Sequence, residues 1–324
     1  MGVQIQESGL FNKLVGLYEN PILEYWQDKY ADAIKDSMID VLFSKEKSSN
    51  ATESITEMVG AVDFTKWNGE FTYGSQKEGY VKVWTPIIWQ AGMAYSRFLL
   101  SNAKLMDLKN DQFKFAIAAA RFREACASGI LTYADQTTGY NVNGEVLAWN
   151  KVADGLPIAS ASHTSANSSL TQSNLHALEL NEDSLETVCQ AMFDLKDDSG
   201  KDANLQPNTL IVPTALRKKA IELIGGEGKV DSSDNNPNIY NGSMKLIVYK
   251  QFRRQTGKTG QPWCVADHEM LQQSLKLVNR LESGDDYELI SWRDQEQQVW
   301  KVGALQWLSM GAYDWRPVQF SIPS

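Results

Sequence analysis

Between Asn208 and Phe252 the chain reads NTLIVPTALRKKAIELIGGEGKVDSSDNNPNIYNGSMKLIVYKQF, an order that leaves few choices of local structure. Thr209 to Val212 is a short apolar run suited to a strand, and Pro213 stops it. Proline lacks the N–H that would continue a ladder, and its fixed φ suits the first turn of a helix. Ala215, Leu216, Ala220, Leu223 and Ile224 then fall on one side of a helix that Gly225 and Gly226 end. The turn formers Asp234, Asn235, Asn236, Pro237 and Asn238 fill a polar loop, after which Met244 to Tyr249 makes a second apolar strand. The whole segment holds no paired catalytic groups, which points to a protein that works through shape and surface.

With 324 residues, 43% of them hydrophobic, the chain can bury one large core or two modest ones. A net charge of -9 argues against a protein that grips nucleic acid over a broad basic face. The first residues, MGVQIQESGLFNKLVGLYENP, have neither the basic start nor the apolar core of a secretory signal. No window approaches the ~20 apolar residues of a membrane span, so a cytosolic site of synthesis is expected. Cys126, Cys189 and Cys264 are too scattered for a disulfide framework or a zinc site and read as buried thiols. The 10 tryptophans favour extensive subunit contact.

Leu10 to Tyr18 and Pro21 to Phe43 have the spacing of an amphipathic arm, which needs a surface to lie on. Ser44 to Glu57 (SKEKSSNATESITE) is charged and hydroxyl-rich, the composition of a mobile linker. From Val62 to Trp89 β-branched and aromatic residues predict strands. Asn68-Gly69 is a two-residue hairpin signal, and Gly74 to Gly79 offers a competing tip. The favoured arrangement is a projecting hairpin with its outer turn at Ser75 to Glu78 and a kink or bulge near Asn68-Gly69. An ordinary sheet hairpin fits the pattern as well. If the hairpin projects, its mixed apolar faces are better covered by a neighbour than by water. Trp26, Trp67, Asn68, Gly69, Lys77, Glu78, Tyr80 and Trp84 are then the candidate subunit contacts.

Leu105 to Leu131 predicts a long spine helix. Phe113, Ile117 and Ala120 lie on one line, and Phe115, Ala118, Phe122 and Ala125 on another, so cover on two sides is expected. A second helix, Asp183 to Leu195, has Asn181 as its cap. Trp263 to Ala266, Ser274 to Val278, Tyr287 to Trp292 and Gln298 to Gly311 predict strands, the last two joined by a turn at Asp294 to Gln297. Short elements without βαβ repetition indicate an α+β fold.

No catalytic, cofactor-binding or metal-binding residue is assigned. Ser160, Ser162 and His163 sit together in ASASHTS, but sequence neighbours in a loop lack the orienting carboxylate and oxyanion hole of a triad. Gly257-Lys258-Thr259 ends like a phosphate-binding loop, yet Phe252 occupies the position of its first glycine. Asp194, Asp197, Asp198, Gly200 and Asp202 miss the spacing of a calcium loop. Arg253, Arg254 and Lys258 form too small a basic patch to imply nucleic-acid readout.

The order of five phrases carries a family resemblance: DGLPIASASHTSANSSLTQSNL, EDSLETVCQAMFDLKDDSGKDANLQPNTLIVPTALRKKAIELI, DNNPNIYNGSMKLIVYKQF, PWCVADHE and ELISWRDQEQQVWKVGALQWLSMGAYDWRPVQF. From Gly60 to Pro317 the chain resembles the major capsid proteins of tailed bacteriophages. That resemblance implies the Hong Kong 97-like capsid fold, with an N-terminal arm over 1–58 and an extended hairpin loop over 59–95. A peripheral domain would follow in two parts, 96–204 with the spine at 105–131 and 279–324, around an axial domain at 205–278. It also implies self-assembly into hexamers and pentamers of an icosahedral head enclosing double-stranded DNA. Portal and scaffolding proteins, the latter from another chain, and cement proteins would be partners, with assembly in the host cytoplasm and final location in the virion. A nanocompartment shell of the encapsulin kind would share the fold, and a soluble enzyme is the reading from outside it.

Overall fold

The computed structural model describes residues 4–59, 66, 67, 69, 71, 77–102, 104–225, 240, 242–281 and 286–324. The first element, α1 (Gln4–Ile34), is a 31-residue helix with Pro21 inside it. A proline there removes an intrahelical hydrogen bond and crowds the preceding turn, at about 3 kcal/mol. Packing has to hold such a helix together, and Phe11, Val15, Ile22, Trp26 and Tyr30 supply it from one buried stripe. The two helical pieces expected in the arm are therefore one helix as far as Ile34, and this chain itself covers their apolar face.

After α2 (Ile39–Leu42) come β1 (Ser44–Lys47), β2 (Glu53–Val59), β3 (Lys77–Trp84), β4 (Ile87–Ser96), α3 (Arg97–Asn102) and α4 (Leu105–Thr132). The middle of the chain supplies β5 (Tyr140–Val142), β6 (Glu145–Leu147), β7 (His163–Thr164), β8 (Thr171–Gln172), β9 (Leu175–His176) and α5 (Glu182–Phe193). Then follow β10 (Thr209–Pro213), a 3-10 turn, α6 (Arg217–Gly225), β11 (Lys245–Tyr249), β12 (Trp263–Ala266) and α7 (His268–Ser274). The last strands are β13 (Leu275–Asn279), β14 (Glu288–Asp294), β15 (Val299–Ala312) and β16 (Val318–Ser321).

Two five-stranded sheets organise these elements. In the first, the 14-residue β15 is central. It pairs with β4 along one edge, from Val299↔Ser96 to Leu308↔Ile87. Along the other edge it takes β14 as far as Leu305 and then β13 from Leu308. β1 closes the sheet, parallel to β13 with Ser44 opposite Lys276. The expected mobile linker, Ser44 to Glu57, thus holds the start of β2 and the whole of β1. Its alternating Lys and Glu side chains lie beside an edge ladder, and backbone pairing is indifferent to their charge.

The second sheet runs β11-β10-β12-β16-β9. β10, α6 and β11 form the strand–helix–strand unit foreseen from Pro213 and Gly225, with the two strands parallel. Asn181 caps α5 by accepting a 2.8 Å hydrogen bond from the Ser184 amide. β13 belongs to the first sheet and β16 to the second, so the division expected at residue 278 cuts across the pairing.

α4 lies under α1 and reaches the first sheet. Leu108, Gln112, Phe115, Ala116, Ala120 and Arg123 face inward along its first turns, while every residue from Cys126 to Thr132 is buried. Two-sided cover holds only for that last part, since Phe113 is 38% exposed. Trp26 stacks on Tyr30 at 5.1 Å and meets Phe115 edge-on at 5.7 Å, tying α1 to the spine.

Candidate assembly surface

Among the described residues β2 and β3 pair only with each other. Their register runs from Glu53↔Trp84 to Thr56↔Val81, then shifts so that Met58 faces Glu78. The shift puts one extra residue on β3, the mark of a bulge, and it lies at the root of the hairpin. Of the expected outer turn, Lys77 and Glu78 are already strand, opposite Val59 and Met58. Ser75 and Gln76 lie outside the described residues, as does Asn68. Gly69 has φ +105°, a region that residues with a Cβ rarely adopt.

The root is seated on the body by both strands. On β3, Trp84 is buried, and the Lys82 ammonium donates to the Lys151 carbonyl. Burial, followed by the nearby Lys151 charge, pushes the Lys82 pKa down to about 8. The Tyr80 hydroxyl lies 3.3 Å from Thr164 Oγ1, and Asn167 Nδ2 donates to the Glu78 carbonyl at 3.5 Å. On β2, Glu57 Oε1 accepts from Arg316 Nη1 at 3.2 Å.

The face of β3 opposite Tyr80, Lys82 and Trp84 is apolar and open. Val81 and Val83 are 48% and 51% exposed. Trp67 and Phe71 are exposed and meet edge-to-face with ring centroids 5.3 Å apart. A second open patch, missed from sequence, sits on α3 and the first turn of α4, where Phe98 and Met106 are each 79% exposed and Leu99 and Leu105 are partly so. Its signal was present in FLLSNAKLM, where only Leu100 has somewhere inward to go.

Trp67, Gly69, Glu78 and Tyr80 therefore stand where a neighbour can reach them. Trp26 and Trp84 do not. They are 0% and 2% exposed within this chain, and neither has surface left for subunit contact. The physical reason is the same for both: a large ring finds more cover against the body of its own chain, Trp26 on the spine and Trp84 beside Gly311 of β15, than at an edge.

His163 does have an orienting carboxylate. Its Nδ1 lies 2.6 Å from Asp154 Oδ2, both side chains are buried, and the ring stacks on Trp315. Nε2 is buried without a hydrogen-bond partner, so neither Ser160 nor Ser162 forms a nucleophile pair with it. The phosphate-loop look-alike is tied down, with the Thr259 hydroxyl bonded to the Ser324 carbonyl and the Arg254 guanidinium to that of Thr259. Asp197 Oδ1 accepts from the Ser199 amide and hydroxyl and from the Lys201 amide, which closes a turn. Among the described residues no cluster of His, Cys, Asp or Glu is arranged to hold a metal, and no helix is long and apolar enough to cross a membrane.

Solved structures share this fold over most of the chain. The capsid of Ralstonia phage GP4 superposes with a TM-score of 0.56 at 10% identity, over 87% of this chain and 87% of that one. The bacteriophage PhiM1 mature capsid gives 0.54 at 11% identity, over 89% and 87%. The capsid of a native GTA particle gives 0.50 at 10% identity, over 88% and 89%. The fold is that of a phage capsid subunit. The Mu-like prophage major head subunit family, gpT, matches residues 169–252, which run through α5, β10 and α6 to the end of β11 in this capsid fold. No curated protein sequence matches the chain.

Proposed function

We propose that this chain is the major capsid protein of a tailed phage. Copies of it form the hexamers and pentamers of an icosahedral head around double-stranded DNA. The observation that carries the reading is the paired hairpin β2–β3, rooted on the body by buried side chains while Val81, Val83 and the Trp67–Phe71 pair stay open. Such surface is poorly placed in water and well placed against a second copy. Each contact is modest and is multiplied across a closed shell. The capsid fold over most of the chain and the Mu-like head match support the same conclusion.

In this reading Trp67, Asn68, Gly69, Lys77, Glu78 and Tyr80 are contact residues, and the α3 patch around Phe98 extends the contact. A net charge of -9 suits a wall that holds DNA without trapping it or reading its sequence. Portal, scaffolding and cement proteins are the further partners, with assembly in the host cytoplasm and the virion as destination. Electron microscopy of the purified protein, with sedimentation across concentrations, tests the proposal. Shells or capsomers are expected. A monomer at every concentration, with or without co-expressed scaffold, overturns it.

A further inference from the structure

One guanidinium gathers the root of the hairpin. Arg316, in the loop between β15 and β16, places Nη1 3.2 Å from Glu57 Oε1 and 3.1 Å from Asp314 Oδ1, and Nη2 2.6 Å from Asp198 Oδ1. Its own side chain is 12% exposed and that of Asp198 9%. Asp314 comes from Arg316's own loop, while Glu57 comes from β2 and Asp198 from the turn after α5, two segments that no backbone ladder joins to that loop among the described residues. Glu57 is the hairpin's contribution, and it falls within the register shift between Thr56 and Met58. A bulge re-aims a side chain, and this one lets Glu57 meet Arg316.

The charges do not balance. With all three carboxylates ionised, one cation faces three anions in a poorly solvated place, and the last anion is expensive there. We propose that Arg316 is the positioning residue of the hairpin, fixing the direction in which β2 and β3 leave the body, and that a proton on Glu57 tightens its hold. For shell assembly this rests on the capsid reading; for the hairpin's attachment it stands alone.

The groups facing Glu57 are Asp198, Asp314, Tyr313 and Arg316. Burial, then a hydrogen bond with Asp198 and repulsion from it, outweigh the attraction of Arg316 and push the Glu57 carboxyl up to about 7 from 4.5. The sign follows from linkage. In the window between 4.5 and about 7 the seated carboxyl keeps a proton that a released one has lost. The seat is therefore firmest at the acid end of that window and weakens as pH rises through it. Above it the full penalty of the ionised carboxylate is present. Lys82, on β3, faces Lys151 and Asp154 and is charged both seated and free below about 8, so it adds no slope in this window.

Hydrogen exchange of the β2 and β3 amides, divided by intrinsic rates, reads the attachment in the full chain between about pH 5 and 8, whether or not shells form. In the wild type, protection is expected to fall as pH rises to about 7 and then level off. Glu57→Gln should keep protection high and flatten the profile, since a neutral amide can still bridge Asp198 and Arg316. Arg316→Gln should lower protection about tenfold or more at all pH, and Arg316→Lys should restore part of it. A Glu57→Gln profile as steep as the wild type's, or unchanged hairpin protection in folded Arg316→Gln, overturns the proposal. Microscopy of the same samples judges the capsid reading separately: regular shells from wild type and aberrant ones from Arg316→Gln are expected, and equally regular shells from both would overturn the positioning role.

Discussion

The His163 imidazole lies flat against the Trp315 indole, ring centroids 4.2 Å apart and planes 4° from parallel, while its Nδ1 holds the buried Asp154 carboxylate. This pair pins the Asp154-to-His163 loop to the segment that carries Arg316. His163→Ala should cost about 3–5 kcal/mol, because it strands a buried carboxylate as well as removing a stacked ring. Urea unfolding measures it. A loss below ~1 kcal/mol would mean that water reaches Asp154 and the pair is not structural.

Phe115 and Phe113 stand two residues apart on the spine and should behave differently. Phe115 is 6% exposed and touches Trp26, so Phe115→Ala is expected to destabilise by about 3–5 kcal/mol. Phe113→Ala, at a partly open position, should stay within about 1 kcal/mol. Equal losses for the two would contradict the one-sided packing of the first turns of α4.

The α3 patch predicts a variant that folds normally and assembles badly. Replacing Phe98 and Met106 by Ser should leave the unfolding free energy within about 0.5 kcal/mol of wild type, since both side chains are already in water. Assembly yield should drop. Wild-type yield from a stable double variant would show that no neighbour covers this patch.

All three cysteines should be silent toward a thiol reagent. Burial pushes the Cys126 and Cys189 thiols up to about 12 and raises Cys264 as well. At pH 8 the reactive thiolate is then a minute fraction, on top of poor access. Labelling should be negligible in the native protein and complete in denaturant. Rapid native labelling of any one would place it on a face that opens.

Local chemistry explains what the sequence made legible. Pro213 and Gly225 bracket β10 and α6 closely, Asn181 caps α5, and the turn after β14 is closed by the Asp294 carboxylate accepting from the Gln297 amide at 3.0 Å. Each of these signals acts within a few residues of itself. Features that depend on distant partners were misread. SKEK looks like a linker until β13 arrives to pair with it, and nothing near Ser44 names Lys276. Trp26 and Trp84 looked like contact residues because aromatic content says that a ring needs cover without saying whose. The site was legible in the same proportion: a hairpin could be foreseen from its alternation, but its seat on Arg316 joins residues from opposite halves of the chain.

The placement of β15 has a consequence for the life of the subunit before it meets another. Among the described residues β4 has no strand partner but β15, and β1 none but β13, so neither can be fixed while only the first half of the chain exists. Long-range pairing of this kind is slow, and apolar segments such as α1 must wait without their final cover. The first sheet, and the subunit surface it carries, is therefore completed only once the last strands have left the ribosome.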